Sequence, residues 1–248
     1  MKKKYRFCNL LSGHERALSP QNFVNEARSE ATIYIYDEIS SWWGISAEWF
    51  AGQLNSMLDV PVINIRVNSP GGDIFEARAM QAAMAQHPAT IVVHIDGLAA
   101  SSASFLIRGA NKRIMSDGAF LMIHQAWSWA DGNSQALISR GEALEKIDGS
   151  IIDSYMKVTG IEREQIAEWI NKETWFTAAE AKEHGFVEEV IEAEPVKNVF
   201  DLRAVFENTP DAMVNLAITE PTKEDNREEK IFDFLANSRD LELLELDS

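Results

Sequence analysis

Residues 89–107, with the sequence ATIVVHIDGLAASSASFLI, are the stretch from which the fold can be worked out. The first seven residues are almost continuously apolar and rich in β-branched side chains, which is typical of a strand buried on both faces. Gly97 breaks this run, small residues follow, and a helix is predicted to start near Ala103. The stretch therefore predicts a strand, a sharp turn and a helix, with three serines near the turn.

These serines have two possible roles. Amide groups at the start of a helix are free to stabilise an anion, and small residues let a substrate approach the backbone, so one serine could be a nucleophile. Alternatively, a serine at this position only caps the helix. The stretch alone supports both roles about equally, and the candidates are Ser101, Ser102 and Ser104.

The composition limits the class of protein. The chain has 248 residues, 46% of them hydrophobic, which is enough for one substantial domain and an appendage. The formal net charge of −16 argues against a nucleic-acid-binding face, and one cysteine, Cys8, fits a reducing compartment. No apolar run approaches the ~20 residues of a membrane span. We therefore expect a cytoplasmic protein without nucleic-acid or membrane partners.

Strand and helix patterns alternate along the chain, which predicts an α/β fold with a mainly parallel sheet. Besides the strand within residues 89–95, predicted strands cover residues 31–36, 62–67, 113–115, 119–124 and 187–191, and residues 172–176 are extended. Predicted helices cover residues 46–58, 74–86, 103–109, 134–158, 162–171 and 177–183. The helix over residues 134–158 has apolar residues spread around it, so it could project and pack against another subunit.

The chain is expected to have three regions. Residues 1–30 contain turn-type sequence and are predicted to form an N-terminal arm, and residues 31–194 form the main domain. Residues 195–248 form an acidic C-terminal extension, since residues 220–248 carry ten acidic and four basic residues. This extension keeps some apolar residues, so it could be partly disordered or could dock on a partner.

A nucleophilic serine needs a base to take its proton and a group that orients the base. Among five histidines, His124 is the best candidate, because it ends a predicted strand and a polar, then aromatic, loop follows. In open α/β sheets, sites form at the carboxyl ends of strands. Ser101, His124 and the turn at residues 70–72 all lie at such ends, so we expect them to meet.

An enzyme of this kind also needs N–H groups aimed at the developing negative charge. Gly71 and Gly72 offer two amides without side chains, and the residue after the nucleophile, Ser102, offers another. A tight turn that leads into a helix would explain the two glycines equally well. The sequence has no phosphate-binding loop and no His/Cys cluster with metal-ligand spacing, so we expect neither a metal nor a cofactor.

Four motifs together resemble the ClpP family of self-compartmentalised serine peptidases. They are NSPGG at residues 68–72, GLAAS at 97–101 with FLI at 105–107, MIHQ at 122–125, and FTAAEA at 176–181 with GFV at 185–187. The acidic tail and divergent ends look more like the ClpP-related head-maturation proteases of tailed phages and prophages. The resemblance implies the ClpP/crotonase-like fold, a spiral of β-β-α units with a projecting handle helix at residues 134–158.

The resemblance also implies roles for individual residues. Ser101 follows an Ala-Ala pair, as the family's nucleophile does, and His124 matches the base. The family most often has Asp at the position of Glu173, so the third member of the triad departs from the pattern. Glutamate can orient an imidazole equally well if its backbone lies slightly further back. Asp148 and Asp153 remain alternatives.

The function implied is peptide-bond hydrolysis by a Ser-His-Glu triad inside a homo-oligomeric ring, a heptamer or a double heptamer. No cofactor is implied. Partners would include polypeptide substrates, such as capsid and scaffold proteins in phage head maturation. An AAA+ unfoldase is a further candidate partner. The setting would be the bacterial host cytoplasm or a phage prohead.

Two other functions remain open. A crotonase-like enzyme acting on acyl-CoA thioesters would also use paired backbone amides, but it would not need the pair Ser101 and His124, and the net charge of −16 suits CoA phosphates poorly. A non-catalytic ring or scaffold protein could keep the fold. That reading predicts loss of the nucleophile or base, and only Glu173 is in its favour.

Overall fold

The computed structural model describes residues 23–24, 30–192 and 200–214. The strands are β1 (Phe23–Val24), β2 (Glu30–Ile35), β3 (Val62–Ser69), β4 (Thr90–Ala100), β5 (Lys112–Ser116), β6 (Phe120–Ile123), β7 (Thr174–Thr177) and β8 (Glu189–Ile191). The helices are α1 (Ala47–Asn55), α2 (Ile74–Gln86), α3 (Ser102–Leu106), α4 (Ser134–Thr159), α5 (Arg163–Asn171), α6 (Ala178–Glu183) and α7 (Asp211–Val214). Most of the predicted N-terminal arm and most of the acidic extension lie outside the described residues.

The described strands form one sheet in the order β1-β2-β3-β4-β5-β8, and β6 pairs with both β4 and β7. Pairing is parallel except between β1 and β2 and between β6 and β7. The predicted α/β class with a mainly parallel sheet is therefore confirmed. The long predicted helix is also present as α4, which ends at Gly160 in the left-handed conformation.

The prediction that Gly97 ends the strand is wrong. β4 continues through Gly97 to Ala100 because it changes partner there. It pairs with β5 as far as Ile95, and from Leu98 onward it pairs with β6. Small residues suit this exchange, since two neighbouring strands meet β4 on the same side. The longer strand carries the serine turn to the edge where β6 also ends.

Local sequence explains where the main helices begin. The Ser46 side chain accepts the Trp49 amide at the start of α1, and Asp73 accepts the amides of the first turn of α2. Thr177 and Glu180 form a reciprocal capping box at the start of α6. These caps fix where the chain leaves the sheet. Among the helices that the structure describes, none is long and apolar enough to cross a membrane.

Residues 200–214, which we call the strap, belong to the same compact unit as the sheet. The strap begins with a short 3-10 turn at Leu202–Ala204 and ends in α7. Its apolar side chains and those of β4 and β6 form a second cluster, separate from the main core. Part of the predicted C-terminal extension is thus folded against the main domain.

The buried carboxylate of Asp96, the residue before Gly97, connects the central strands β3 and β4. Asp96 is 2% exposed, and it accepts hydrogen bonds from Arg66 Nε at 2.9 Å and from the Tyr36 hydroxyl at 2.6 Å. Burial, followed by the contact with Asp96, raises the pKa of Tyr36 to about 12. The group therefore joins β3 and β4 to the residue that follows β2.

Replacement of Asp96 tests this connection. We expect Asp96→Ala to lower the free energy of unfolding by about 2 kcal/mol, because two donors lose a buried acceptor. Urea denaturation followed by circular dichroism measures the change. Asp153→Ala is the matched control, since Asp153 pairs with Arg163 in the solvent and should cost less than about 1 kcal/mol. Equal losses in the two variants would contradict the importance of the buried group.

Candidate active site

Ser101 lies at the junction of β4 and α3 in a strained backbone conformation. Its φ of 53° and ψ of −126° are rarely adopted by a residue with a side chain. The Ser101 amide donates to the Met122 carbonyl at 3.0 Å, which extends the pairing of β4 with β6 to the serine itself. Strain of this kind costs of order 1–3 kcal/mol and is concentrated at functional sites.

His124 directly follows β6 and meets Ser101 at the end of the neighbouring strand. The distance from His124 Nε2 to Ser101 Oγ is 2.8 Å, which is suitable for proton transfer. The strand register explains the meeting, because Ala100 lies opposite Met122 in the parallel pair β4–β6. The structure therefore brings together the two residues that the sequence analysis placed at strand ends.

The other two serines have different environments. Ser104 is fully buried, and its hydroxyl donates to the Ser101 carbonyl at 2.6 Å and lies 2.8 Å from the Tyr155 hydroxyl. Ser102 is 3% exposed, and its Oγ has no hydrogen-bond partner within the described part of the chain. Of the three serines, only Ser101 has its oxygen within hydrogen-bonding distance of a histidine.

The remaining described histidines have structural contacts. His87 Nε2 lies 3.0 Å from the Leu54 carbonyl, and His94 Nε2 lies 3.1 Å from the side-chain oxygen of Asn64. The His184 ring packs against Trp169. His14 lies outside the described residues. These contacts leave His124 as the base candidate.

The glycine turn at residues 70–72 lies against the serine backbone. A Cβ atom on Gly71 would come within 2.5 Å of the Ala100 carbonyl and 2.8 Å of the Ser102 amide nitrogen. Both glycines have positive φ, 88° for Gly71 and 142° for Gly72. Both glycines are therefore required for the turn, and Gly71 is also required for its close approach to the serine.

The two glycine amides of the predicted anion site differ in their hydrogen bonds. The Gly71 amide donates to Ser69 Oγ at 3.1 Å, so it is used within its own turn. The Gly72 amide has no acceptor among the described residues. Ser102 is the first residue of α3, and amides in the first turn of a helix have no intrahelical acceptor. Gly72 and Ser102 are thus the better donors for a bound anion.

Glu173 lies near His124, but its carboxylate is hydrogen-bonded to the strap and not to the histidine. It precedes β7, which pairs with β6 so that Thr174 lies opposite Ile123. Its oxygens accept the amides of Glu207 at 3.0 Å and Asn208 at 2.6 Å, both from the strap. No hydrogen bond joins His124 to Glu173 in the described structure. Sequence reasoning missed the strap, because residues 200–206 show no strand or helix period.

The acids considered as alternatives to Glu173 have other contacts. Asp148 accepts the Ala126 amide at 2.7 Å and so holds the loop after His124 against α4. Burial raises the pKa of Asp148. Asp153 is exposed and pairs with Arg163. No contact links either carboxylate to His124 within the described residues.

Ser101 and His124 line a cleft of about 1190 Å³. The glycine turn, the loop with Trp127 and Trp129, and strap residues 203–207 line it too. Both tryptophans are more than half exposed, so the cleft offers apolar contacts to a long ligand. No group of three His, Cys, Asp or Glu residues that could hold a metal ion occurs in the residues described.

Three comparisons show which known proteins the chain is similar to. The sequence model of the family described as Clp protease matches residues 15–194. The ATP-dependent Clp protease proteolytic subunit 2 of Corynebacterium diphtheriae is 32% identical over 133 residues, which cover 53% of this chain and 67% of the relative. Proteolytic subunit 1 of Mycobacterium tuberculosis is 31% identical over 131 residues, covering 52% of this chain and 66% of the relative. A mutant ClpP1 from Listeria monocytogenes has a TM-score of 0.59 at 25% identity, covering 66% of this chain and 92% of that structure.

The pH dependence of Ser101 reactivity tests the site. Burial lowers the pKa of His124 below its ordinary value of 6.5, and the charge of Glu173 opposes this shift. Because neutral His124 accepts the proton, the labelling rate with a fluorophosphonate should rise with pH and reach half its maximum below pH 6.5. Glu173→Gln should move that midpoint further down. A midpoint above 6.5, or one that Glu173→Gln leaves unchanged, would contradict this electrostatic description.

Proposed function

The chain belongs to the Clp protease family of serine peptidases, and from this premise we propose that it is an endopeptidase with Ser101 as nucleophile and His124 as base. The observation that carries the proposal is the 2.8 Å contact between Ser101 Oγ and His124 Nε2. It lies in a cleft large enough for a peptide and beside unpaired backbone amides. These are the parts that acyl transfer to a serine needs.

The proposed reaction begins when His124 removes the Ser101 proton and the serine oxygen attacks the peptide carbonyl carbon. The amides of Gly72 and Ser102 then hold the negative oxygen of the tetrahedral intermediate. His124 gives its proton to the leaving amine, and water releases the acyl group by the reverse steps. Loss of one such amide typically slows catalysis by ~10²–10³.

Glu173 has an electrostatic role in this proposal. Its negative charge raises the pKa of His124, although burial lowers it more. The charge therefore stabilises the imidazolium that forms when His124 holds the Ser101 proton. A hydrogen bond from the histidine, which the Ser-His-acid arrangement ordinarily contains, is not required for this effect.

We also propose that the active form is a homo-oligomeric ring, of seven subunits or twice seven. The relatives are named as proteolytic subunits of ATP-dependent proteases, which supports an assembly that works with an AAA+ unfoldase. Exposed apolar side chains on α4, Leu137 and Ile138, support contact with another subunit through the handle. Phage head maturation, with capsid and scaffold proteins as substrates in the host cytoplasm, is the finer proposal that the sequence resemblance supports.

The pair of neighbouring serines allows a matched test of the nucleophile. We expect Ser101→Ala to abolish peptide hydrolysis and fluorophosphonate labelling, because the attacking oxygen is gone. Ser102→Ala should keep both, since its amide remains and its hydroxyl makes no hydrogen bond in the described structure. Intact-mass analysis after labelling measures the difference. Labelling that persists in Ser101→Ala and disappears in Ser102→Ala would overturn the assignment.

A further inference from the structure

The strap is built against the two strands that carry the proposed nucleophile and base. Its apolar residues Phe200, Leu202, Phe206 and Met213 are each at most 6% exposed. They form one cluster with Leu98, Ala100 and Met122, which lie on β4 and β6 just before Ser101 and His124. Burial on this scale fixes the strap firmly relative to the site.

Phe206 touches the His124 ring directly. The ring centroids are 5.5 Å apart and the planes are almost perpendicular, at 89°, which is a favourable edge-to-face contact. Phe206 makes a similar contact with Trp175 on β7, at 5.6 Å. The His124 ring is therefore restrained from the side of the strap while its Nε2 faces Ser101.

The backbone of the strap holds the Glu173 carboxylate. Besides the two amide bonds from Glu207 and Asn208, the Asn208 side-chain amide donates to the Lys172 carbonyl at 3.0 Å. The strap therefore donates hydrogen bonds both to the Glu173 carboxylate and to the carbonyl of the preceding residue, Lys172. Glu173 itself has a φ of 51°, a conformation that needs support in a residue other than glycine.

We propose that the strap positions the catalytic groups, with Phe206 setting the His124 ring and the amides of residues 207 and 208 holding the charge of Glu173 beside it. This proposal rests on the proposed function. The histidine in a Ser-His-acid site is ordinarily oriented by a hydrogen bond to the acid. Here Phe206 supplies the orientation through its contact with the ring, and the strap amides hold the Glu173 carboxylate in place.

The test uses the full chain and four variants of strap residues. Phe206→Ala removes the contact with His124, Phe206→Leu keeps apolar cover, and Asn208→Pro removes the amide N–H that donates to Glu173. Asp201→Asn is the control, because Asp201 is exposed and its side chain does not cap the turn that follows. For each variant, kcat and KM are measured on a fluorogenic peptide, and the pH midpoint of Ser101 labelling is measured with a fluorophosphonate.

We expect Phe206→Ala to lower kcat by about tenfold or more with little change in KM, because a displaced base slows the chemical step. Phe206→Leu should recover most of that loss. Asn208→Pro should move the labelling midpoint to lower pH, in the same direction as Glu173→Gln, because one of the two strap amides that hold the Glu173 carboxylate is lost. Asp201→Asn should match the wild type.

The outcomes separate the strap from the proposed function. If Ser101 is labelled in the wild type but Phe206→Ala keeps its kcat, gains activity or changes KM alone, the strap is only a cover or a wall of the cleft. Absence of Ser101 labelling in the wild type overturns the proposed function as well. If Phe206→Ala does not fold, exposed Asn208 still decides the matter, since an unchanged midpoint in Asn208→Pro contradicts the proposal.

Discussion

The parallel pairing of β4 with β6 is the constraint on which the site depends. It places the end of each strand at the same edge, so that Ser101 and His124 meet although they lie 23 positions apart in the chain. The Ser101 amide takes part in this pairing through the Met122 carbonyl, which helps to hold the serine in its strained conformation. On the other side of β4, pairing of Ser69 with Ala99 brings the glycine turn to the same place.

Backbone groups supply as much of this site as side chains do. Gly71 lets the turn approach the serine more closely than any residue with a Cβ atom could, and Gly72 does the same for the approach of the turn to Ile39. The amides of the strap hold Glu173 in a similar way, with main-chain donors that a side-chain substitution does not remove. The reacting groups are therefore fixed by chain geometry, and the side chains that perform the chemistry are few.

The sequence predicted those parts of the site that depend on local patterns. The ends of two apolar strands predicted the meeting of Ser101 and His124, and the paired glycines predicted a turn at an anion site. The end of β4 was predicted wrongly at Gly97, because no local sequence pattern indicates that a strand exchanges one partner for another. The contacts of Glu173 and Phe206 could not be predicted, since they join β6 and β7 to residues far along the chain whose apolar spacing matches neither a strand nor a helix.

The central claim is that Ser101 attacks a carbonyl whose oxygen is held by backbone amides, and a crystal structure with a bound peptide boronic acid tests it most directly. The boron should be bonded to Ser101 Oγ, with one boronate oxygen within about 3 Å of the amide nitrogens of Gly72 and Ser102. A boron atom bonded to Ser102 or Ser104, or a boronate whose oxygens face only solvent, would contradict the account.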